Sequence, residues 1–206
     1  MTAPTTKRNW DPVVKLTHWT IVLAILANAL LTEEGSAAHV WVGYALAAIL
    51  ALRLIWGLIG PAEARFTAFP PNPARALRHV GAITRGEKAA HASHNPLGAL
   101  MVYAIWSCLG VIIATGITMA GFPPQGESHE EGRPAAHASA EYGEEREEAE
   151  EARESGEGHE EGAMEELHEI AVNLLYLLIV LHIAGVVFET RRSGRQVVLA
   201  MLPGRR

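Results

Sequence analysis

Four long apolar runs divide the chain, and polar segments separate them. The runs cover residues 13–31, 39–59, 97–120 and 167–188. Each run approaches the ~20 residues that a helix needs to cross the hydrocarbon core of a bilayer. Buried helices of a water-soluble protein would need a large polar shell, which the rest of the chain is too short to supply. The pattern therefore predicts an all-α integral membrane protein, a bundle of four spanning helices.

Capping signals mark the predicted helix starts. Asp11-Pro12 and Asn95-Pro96 each place a capping side chain before a proline at the first helical position. Ser36 is a third capping residue, directly before the second run. We expect a loop between the second and third helices, over residues 61–94.

The charges alternate in sign with the crossings. The N-terminus, the loop of residues 61–94 and the C-terminal tail are basic, whereas the first and third loops are acidic. Because positive residues are retained on the cytoplasmic side of a membrane, both termini and the second loop are expected in the cytoplasm. We expect membrane lipid around the helices and no nucleic-acid partner.

The third loop, residues 121–166, holds most of the chain's 23 acidic residues. Its composition cannot bury enough apolar surface to fold alone. We therefore expect a single domain over residues 1–206, interrupted by a disordered or weakly structured acidic outer loop in which residues 145–154 form at most a transient helix. Two roles remain open for the loop, a solvated linker or an anionic surface that attracts a basic partner.

Four histidines fall at two depths in the predicted bundle. His168 and His182 begin and end the fourth run, and their separation of 14 residues places them ~21 Å apart on one helix face. His39 lies at the outer start of the second run, and His18 lies two turns inside the first. Ionisable side chains are costly inside a bilayer and indicate function. We predict an outer pair, His39 with His168, and an inner pair, His18 with His182.

Haem suits these pairs better than zinc. A structural zinc site needs four ligands and a catalytic one about three, but each level here offers two imidazoles and little else. Two axial imidazoles saturate a haem iron, which favours electron transfer over oxygen binding. The chain has one cysteine and no CxxCH motif, so covalent attachment is excluded. The sequence predicts two non-covalent haem groups, stacked across the bilayer.

Three further residues fit this interpretation. Arg53 follows the outer histidine of its run by 14 residues, so we expect it at the inner level, where a guanidinium can pair with haem propionates. The alternative for Arg53 is snorkelling to the cytoplasmic interface. Gly43 and Gly185 each follow a paired histidine by about one turn, where a missing side chain lets a porphyrin approach the backbone. Ordinary small-residue helix packing is the alternative for the glycines.

Several segments match a known pattern: DPVVKLTHW at the first run, HVWVG and RLIWG in the second, HNPLGALMVY at the third, and LHEIAVNLLYLLIVLH in the fourth. In these segments the chain resembles the bacterial cytochrome b561 family, which is related to the b-type cytochrome subunit of nickel–iron hydrogenases. The resemblance covers nearly the whole chain apart from residues 121–166. It implies a four-helix bundle in the bacterial inner membrane with two b haems, whose ligands here are His18, His39, His168 and His182.

The resemblance also implies a function, electron transfer between membrane quinone and a partner at one face. We expect a respiratory-chain cytochrome whose periplasmic partner is a basic cytochrome or reductase attracted by the acidic loop. His94 either bonds a haem propionate or a quinone oxygen, or is a local cap. The alternative function is a superoxide:quinone oxidoreductase acting at the outer haem, as in some relatives, although glutamates in both outer loops repel such an anion. An electron-transfer subunit is favoured over an enzyme, and a monomer and a homodimer both remain open.

Overall fold

The computed structural model describes residues 11–85, 95–121 and 143–202, with the backbone alone for residues 143–161 and 196–197. Every regular element in these ranges is helical. The helices are α1 (Pro12–Leu30), α2 (Ala37–Ile59), α3 (Pro73–Thr84), α4 (Pro96–Ala120), α5 (Gly143–Ser193) and the short α6 (Gln196–Leu199). Two single turns of 3-10 helix, Ala62–Ala64 and Phe66–Ala68, lie between α2 and α3.

Four of the helices are long and apolar enough to cross a membrane: α1, α2, α4 and the Gly162–Ser193 part of α5. The all-α fold with four candidate spans is therefore confirmed. The predicted caps are also present. Asp11 accepts hydrogen bonds from the backbone N–H groups of Val13 and Val14, and Asn95 accepts one from Gly98 at 2.7 Å. A proline follows each cap directly, and its fixed φ favours the first helical turn.

Helix α3 lies where only a loop was expected. It begins by the same logic as α1 and α4, because Asn72 accepts a hydrogen bond from Arg75 N at 2.9 Å and a proline follows. Its buried residues are Ala76 and His79, and it packs against α4. The expectation of a loop was wrong for residues 73–84, since the Asn-Pro signal starts a short amphipathic helix there.

Helix α5 begins at Gly143, so residues 143–166 of the acidic segment are helical and continuous with the fourth apolar run. Two properties explain this. Glutamate dominates the segment and is a good helix former. Extending an existing helix also avoids the cost of nucleating a new one. Residues 122–142 lie outside the described residues, and the division of the domain by an acidic loop stays a prediction.

The four long helices share one core. Helix α1 packs against α2, α2 against α4, and α4 against α5. All four contribute to a single buried cluster, in which Leu109 is fully buried; the other members are Ile21, Leu46, Leu50, Cys108, Ala171 and Leu175. Many large apolar side chains point outward instead, among them Leu16, Leu58 and Leu181. An apolar exterior around an apolar core is the pattern expected of helices in contact with lipid.

Hydrogen bonds between distant segments connect the helix ends. The Tyr44 hydroxyl on α2 donates to the carbonyl of Gly121, where α4 ends with a positive φ of 72°. At the opposite end of the bundle, Trp19 Nε1 on α1 donates to the carbonyl of Met201 over 2.9 Å. The segment after α5 is thereby attached to α1, which carries one of the predicted ligands.

Candidate functional site

The structure brings the four membrane histidines together as two pairs. On the outer level, the ring centroids of His39 and His168 lie 6.5 Å apart with an interplanar angle of 60°. On the inner level, those of His18 and His182 lie 6.4 Å apart with an angle of 47°. Each pair therefore joins α5 to one of the first two helices, with nearly the same spacing.

One continuous helix sets the depth of both pairs. Helix α5 carries His168 and His182 without a break, so the two levels are ~21 Å apart along its axis. The remaining two histidines come from α1 and α2, which pack on each other. These helices run in opposite directions, because hydrogen bonds join the end of α1 to the start of α2 and the start of α1 to the end of α2. The antiparallel arrangement places His18 and His39 at opposite ends of this helix pair, each beside its partner on α5.

The spacing within each pair suits a metal bound between the rings. Metal–imidazole bonds are ~2 Å long, so an ion held by one nitrogen of each ring separates the centroids by ~6.3 Å. The observed distances of 6.4 and 6.5 Å agree with this value. His18 Nδ1 is also buried without a hydrogen-bond partner among the described residues. The imidazoles thus fit the axial positions of a haem iron.

Zinc chemistry has less support in the same region. In the part of the chain that the structure describes, no three side chains of His, Cys, Asp or Glu lie together as a metal site. Haem needs only two axial ligands, since the porphyrin supplies the others.

Arg53 lies inside the bundle, in the second half of α2. Only 5% of its surface is exposed, which disagrees with the snorkelling alternative. Nη2 donates to the carbonyl of Ala64 at 3.4 Å, and the guanidinium lies 5.0 Å from the ring centroid of Trp106. Nη1 is buried and has no hydrogen-bond partner among the described residues. A buried cation with an unused donor fits an anionic group such as a haem propionate, and that role stays a prediction.

Gly43 and Gly185 both lie beside open space. A Cβ built on either residue meets no atom within 4 Å. Tight packing of helices through small residues places the neighbouring helix within this distance, so the packing alternative has no support at these positions. Room beside a paired histidine fits the predicted haem contact, which stays a prediction. His94, the remaining candidate, lies outside the described residues.

Sequence reasoning missed the polar groups that contact the outer imidazoles. Thr115 Oγ1 on α4 lies 2.8 Å from His168 Nδ1, and Thr32 Oγ1 lies 3.4 Å from His39 Nδ1. Asn28 does not contact the ring but donates to the backbone carbonyl of His39 at 3.2 Å. Thr115 lies inside an apolar run, and this is the signal that could have indicated its role, because a threonine in a membrane helix can bond a neighbouring helix.

A comparison with protein families connects this geometry to known proteins. The family model of the prokaryotic cytochrome b561 matches residues 9–204, a range that contains all four candidate spans and both imidazole pairs. Neither a curated protein nor a solved structure matches the chain. The match covers nearly the whole sequence, and the chain therefore belongs to the prokaryotic cytochrome b561 family of multi-pass, haem b-containing membrane cytochromes of electron transport.

Proposed function

We propose that the protein is a dihaem cytochrome that transfers electrons between membrane quinone and a partner protein at the periplasmic face. The observation that carries this proposal is the presence of two imidazole pairs at two depths, with centroid distances of 6.4 and 6.5 Å. A haem at a single imidazole pair would exchange electrons near one face of the membrane. Haems at two pairs, on opposite halves of the bundle, would exchange electrons near both faces.

The proposed ligands divide by level. His18 and His182 would hold the inner haem, and His39 and His168 would hold the outer one. When bound, haem b supplies one-electron redox chemistry in which no bond at the iron needs to form or break. The chain holds the imidazoles at fixed spacing and surrounds them with apolar helices. Arg53 would stabilise the anionic edge of the inner haem with its Nη1, which has no hydrogen-bond partner among the described residues.

The direction of the bundle follows from charge. Arg191 and Arg192 lie in the last turn of α5, at its inner end, and α3 carries Arg75 and Arg78. We infer that this end faces the cytoplasm, because short cytoplasmic loops retain arginine and lysine. The outer pair then lies near the periplasmic face, as does the acidic start of α5. Both termini lie in the cytoplasm, and the membrane is the bacterial inner membrane.

The acidic segment supports a basic partner at the outer haem. A surface of one charge raises the association rate of an oppositely charged protein by ~10-fold to 1,000-fold at low salt. The same charge repels superoxide, so the alternative of a superoxide:quinone oxidoreductase has less support. The proposed partner is therefore a small basic cytochrome or reductase of the periplasm.

Haem content and two reactions of the purified protein test this proposal together. We expect two b haems per chain by the pyridine haemochrome assay, reduction of both by a short-chain quinol, and reoxidation by a basic cytochrome. One haem per chain contradicts the two-level assignment. The superoxide:quinone oxidoreductase is favoured instead if superoxide reduces the haems rapidly and a basic cytochrome exchanges no electrons with them.

A further inference from the structure

Helix α4 supplies none of the four proposed ligands, yet one of its side chains makes a close polar contact with a ligand ring. Thr115 Oγ1 lies 2.8 Å from His168 Nδ1, and the threonine is only 4% exposed. A buried hydroxyl in a membrane helix has no water to replace this partner. The inference below rests on the proposed role of His168 as a haem ligand.

The other contacts of Thr115 determine which group donates. Its hydroxyl lies 2.9 Å from the carbonyl of Val111 and 3.1 Å from that of Ile112. A carbonyl can only accept, so the single hydroxyl hydrogen is directed to the backbone. The threonine oxygen is then an acceptor for the ring, and His168 Nδ1 carries the hydrogen. Nε2 is left unprotonated, as a metal ligand requires.

The backbone of α4 positions the same ring. A Cβ built on Gly116 would lie 3.4 Å from His168 Cε1, so the imidazole rests close to the bare helix at this position. A hydroxyl on one residue and a missing side chain on the next together fix the position and rotation of the ring.

The other imidazoles are held differently. His39 Nδ1 is 3.4 Å from Thr32 Oγ1, a longer contact, and His18 Nδ1 has no partner among the described residues. The two levels therefore differ in the polar groups behind their ligands. A hydrogen bond from the second ring nitrogen makes an imidazole a more basic ligand.

We propose that Thr115 is a positioning residue that orients His168 and lowers the reduction potential of the outer haem. A more basic ligand stabilises the oxidised iron more than the reduced iron, so the bond favours the oxidised state. Loss of the bond should shift the midpoint potential of the outer haem upward and leave the inner haem unchanged.

Three threonine variants separate the hydroxyl from the shape of the side chain. Thr115→Val removes the hydroxyl with little change in shape, and Thr115→Ser keeps it. Thr118→Val is the matched control, because Thr118 is exposed on the same helix and donates only to the carbonyl of Ala114 at 2.9 Å. Potentiometric titration with optical and EPR detection of each holoprotein gives the two midpoint potentials and the low-spin signals.

We expect Thr115→Val to change the redox equilibrium of the outer haem by roughly threefold to tenfold, a positive shift of ~30–60 mV at 59 mV per tenfold. Thr115→Ser and Thr118→Val should stay near the wild-type values. An unshifted outer potential in Thr115→Val overturns the proposal. If Thr115→Val loses the outer haem, retention in Thr115→Ser supports the role of the hydroxyl, and loss in both overturns it.

A fourth variant keeps the ligand assignment separate from the role of Thr115. His168→Ala should lose one haem and thereby identify the outer signal. Retention of two haems in His168→Ala refutes the ligand set itself. Loss of one haem there, with no shift in Thr115→Val, refutes only the positioning role.

Discussion

Trp56 on α2 donates a hydrogen bond from its indole Nε1 to Asp11 Oδ1 over 3.0 Å. The same carboxylate oxygen accepts from the backbone N–H groups of Val13 and Val14 at 2.9 and 3.2 Å. Asp11 therefore caps α1 and at the same time attaches the end of α2 to the start of α1. This attachment lies at the inner end of the bundle, two turns from His18.

The double role of Asp11 predicts a stability loss larger than that of an ordinary cap. Removing a capping side chain costs ~1 kcal/mol, and removing a hydrogen bond to a charged group adds ~1.5–3 kcal/mol. Asp11→Ala should therefore lower the free energy of unfolding by more than a simple cap variant. The measurement is thermal unfolding of the holoprotein in detergent, followed by loss of the Soret band.

Asn95→Ala is the matched control for Asp11. Asn95 caps α4 by accepting one hydrogen bond from Gly98 N, and it also precedes a proline. Asn95→Ala should lower the free energy of unfolding by ~1 kcal/mol. An equal loss of stability in the two variants would show that the bond from Trp56 adds nothing.

The two imidazole pairs predict that single ligand variants lose one haem each. His39→Ala or His168→Ala should remove the outer haem and retain the inner one, because the pairs are ~21 Å apart along α5 and share no ligand. His18→Ala or His182→Ala should do the reverse. Haem per chain and the number of redox transitions are the measurements.

His79 provides the control for these ligand variants. It is a buried histidine on α3, outside both pairs. His79→Ala should retain both haems. Loss of both haems from one ligand variant, in a bundle that keeps its helical content, would count against the separate levels.

Three glycines with equally open surroundings provide a test of haem packing. A Cβ on Gly43, Gly185 or Gly110 meets no atom within 4 Å, but only the first two lie one turn from a paired histidine. Gly43→Leu and Gly185→Leu should reduce the haem content by filling the space beside an imidazole. Gly110→Leu should leave it unchanged. Equal haem in all three variants would place the first two glycines against lipid.

The sequence was sufficient to predict the spans and the imidazole pairs. Run length determines whether a helix can cross the bilayer, and alternation of the crossings determines which histidines share a depth. His18 and His182 were predicted to lie at one depth, and His39 and His168 at another, and each two lie side by side in the structure. No knowledge of helix packing was needed for either pair.

The contact between Thr115 and His168 was not predictable in this way. It depends on the rotation of α4 about its axis and on its distance from α5, which side-chain packing decides. Helix α3 was missed for a different reason, because its 12 residues are too few and too polar to stand out as an apolar run. The signal at its start, a capping Asn72 followed by a proline, is the same kind as the Asp11-Pro12 signal at the start of α1.

The environment of Arg53 predicts a selective effect on the inner haem. A positive charge in a region of low dielectric constant stabilises the reduced, less positive iron. Arg53→Gln should therefore lower the midpoint potential of the inner haem, and Arg53→Lys should lower it less. Redox titration measures both haems at once, so the outer haem is an internal reference.

Arg65→Gln is the control for the loss of an arginine. Arg65 is exposed, and its Nε donates to the carbonyl of Gly60 at 2.6 Å. Its replacement should leave both potentials unchanged, because solvent screens an exposed charge. An equal shift of both haems in Arg53→Gln would indicate a general change in the bundle and not a contact with one propionate.

The acidic start of α5 predicts a salt-dependent reaction with a basic partner. Six glutamates lie between residues 144 and 151, and their replacement by glutamine removes this charge with little change in helix propensity. Electron exchange with a small basic cytochrome should become slower at low salt and less sensitive to added salt. Haem reduction by superoxide should become faster, because less negative charge repels the anion. Stopped-flow absorbance on sealed proteoliposomes measures both reactions, and Arg75→Gln with Arg78→Gln, on the opposite face, should affect neither. An unchanged salt dependence in the glutamine variant would exclude the acidic helix as the docking surface and leave its role as a solvated linker.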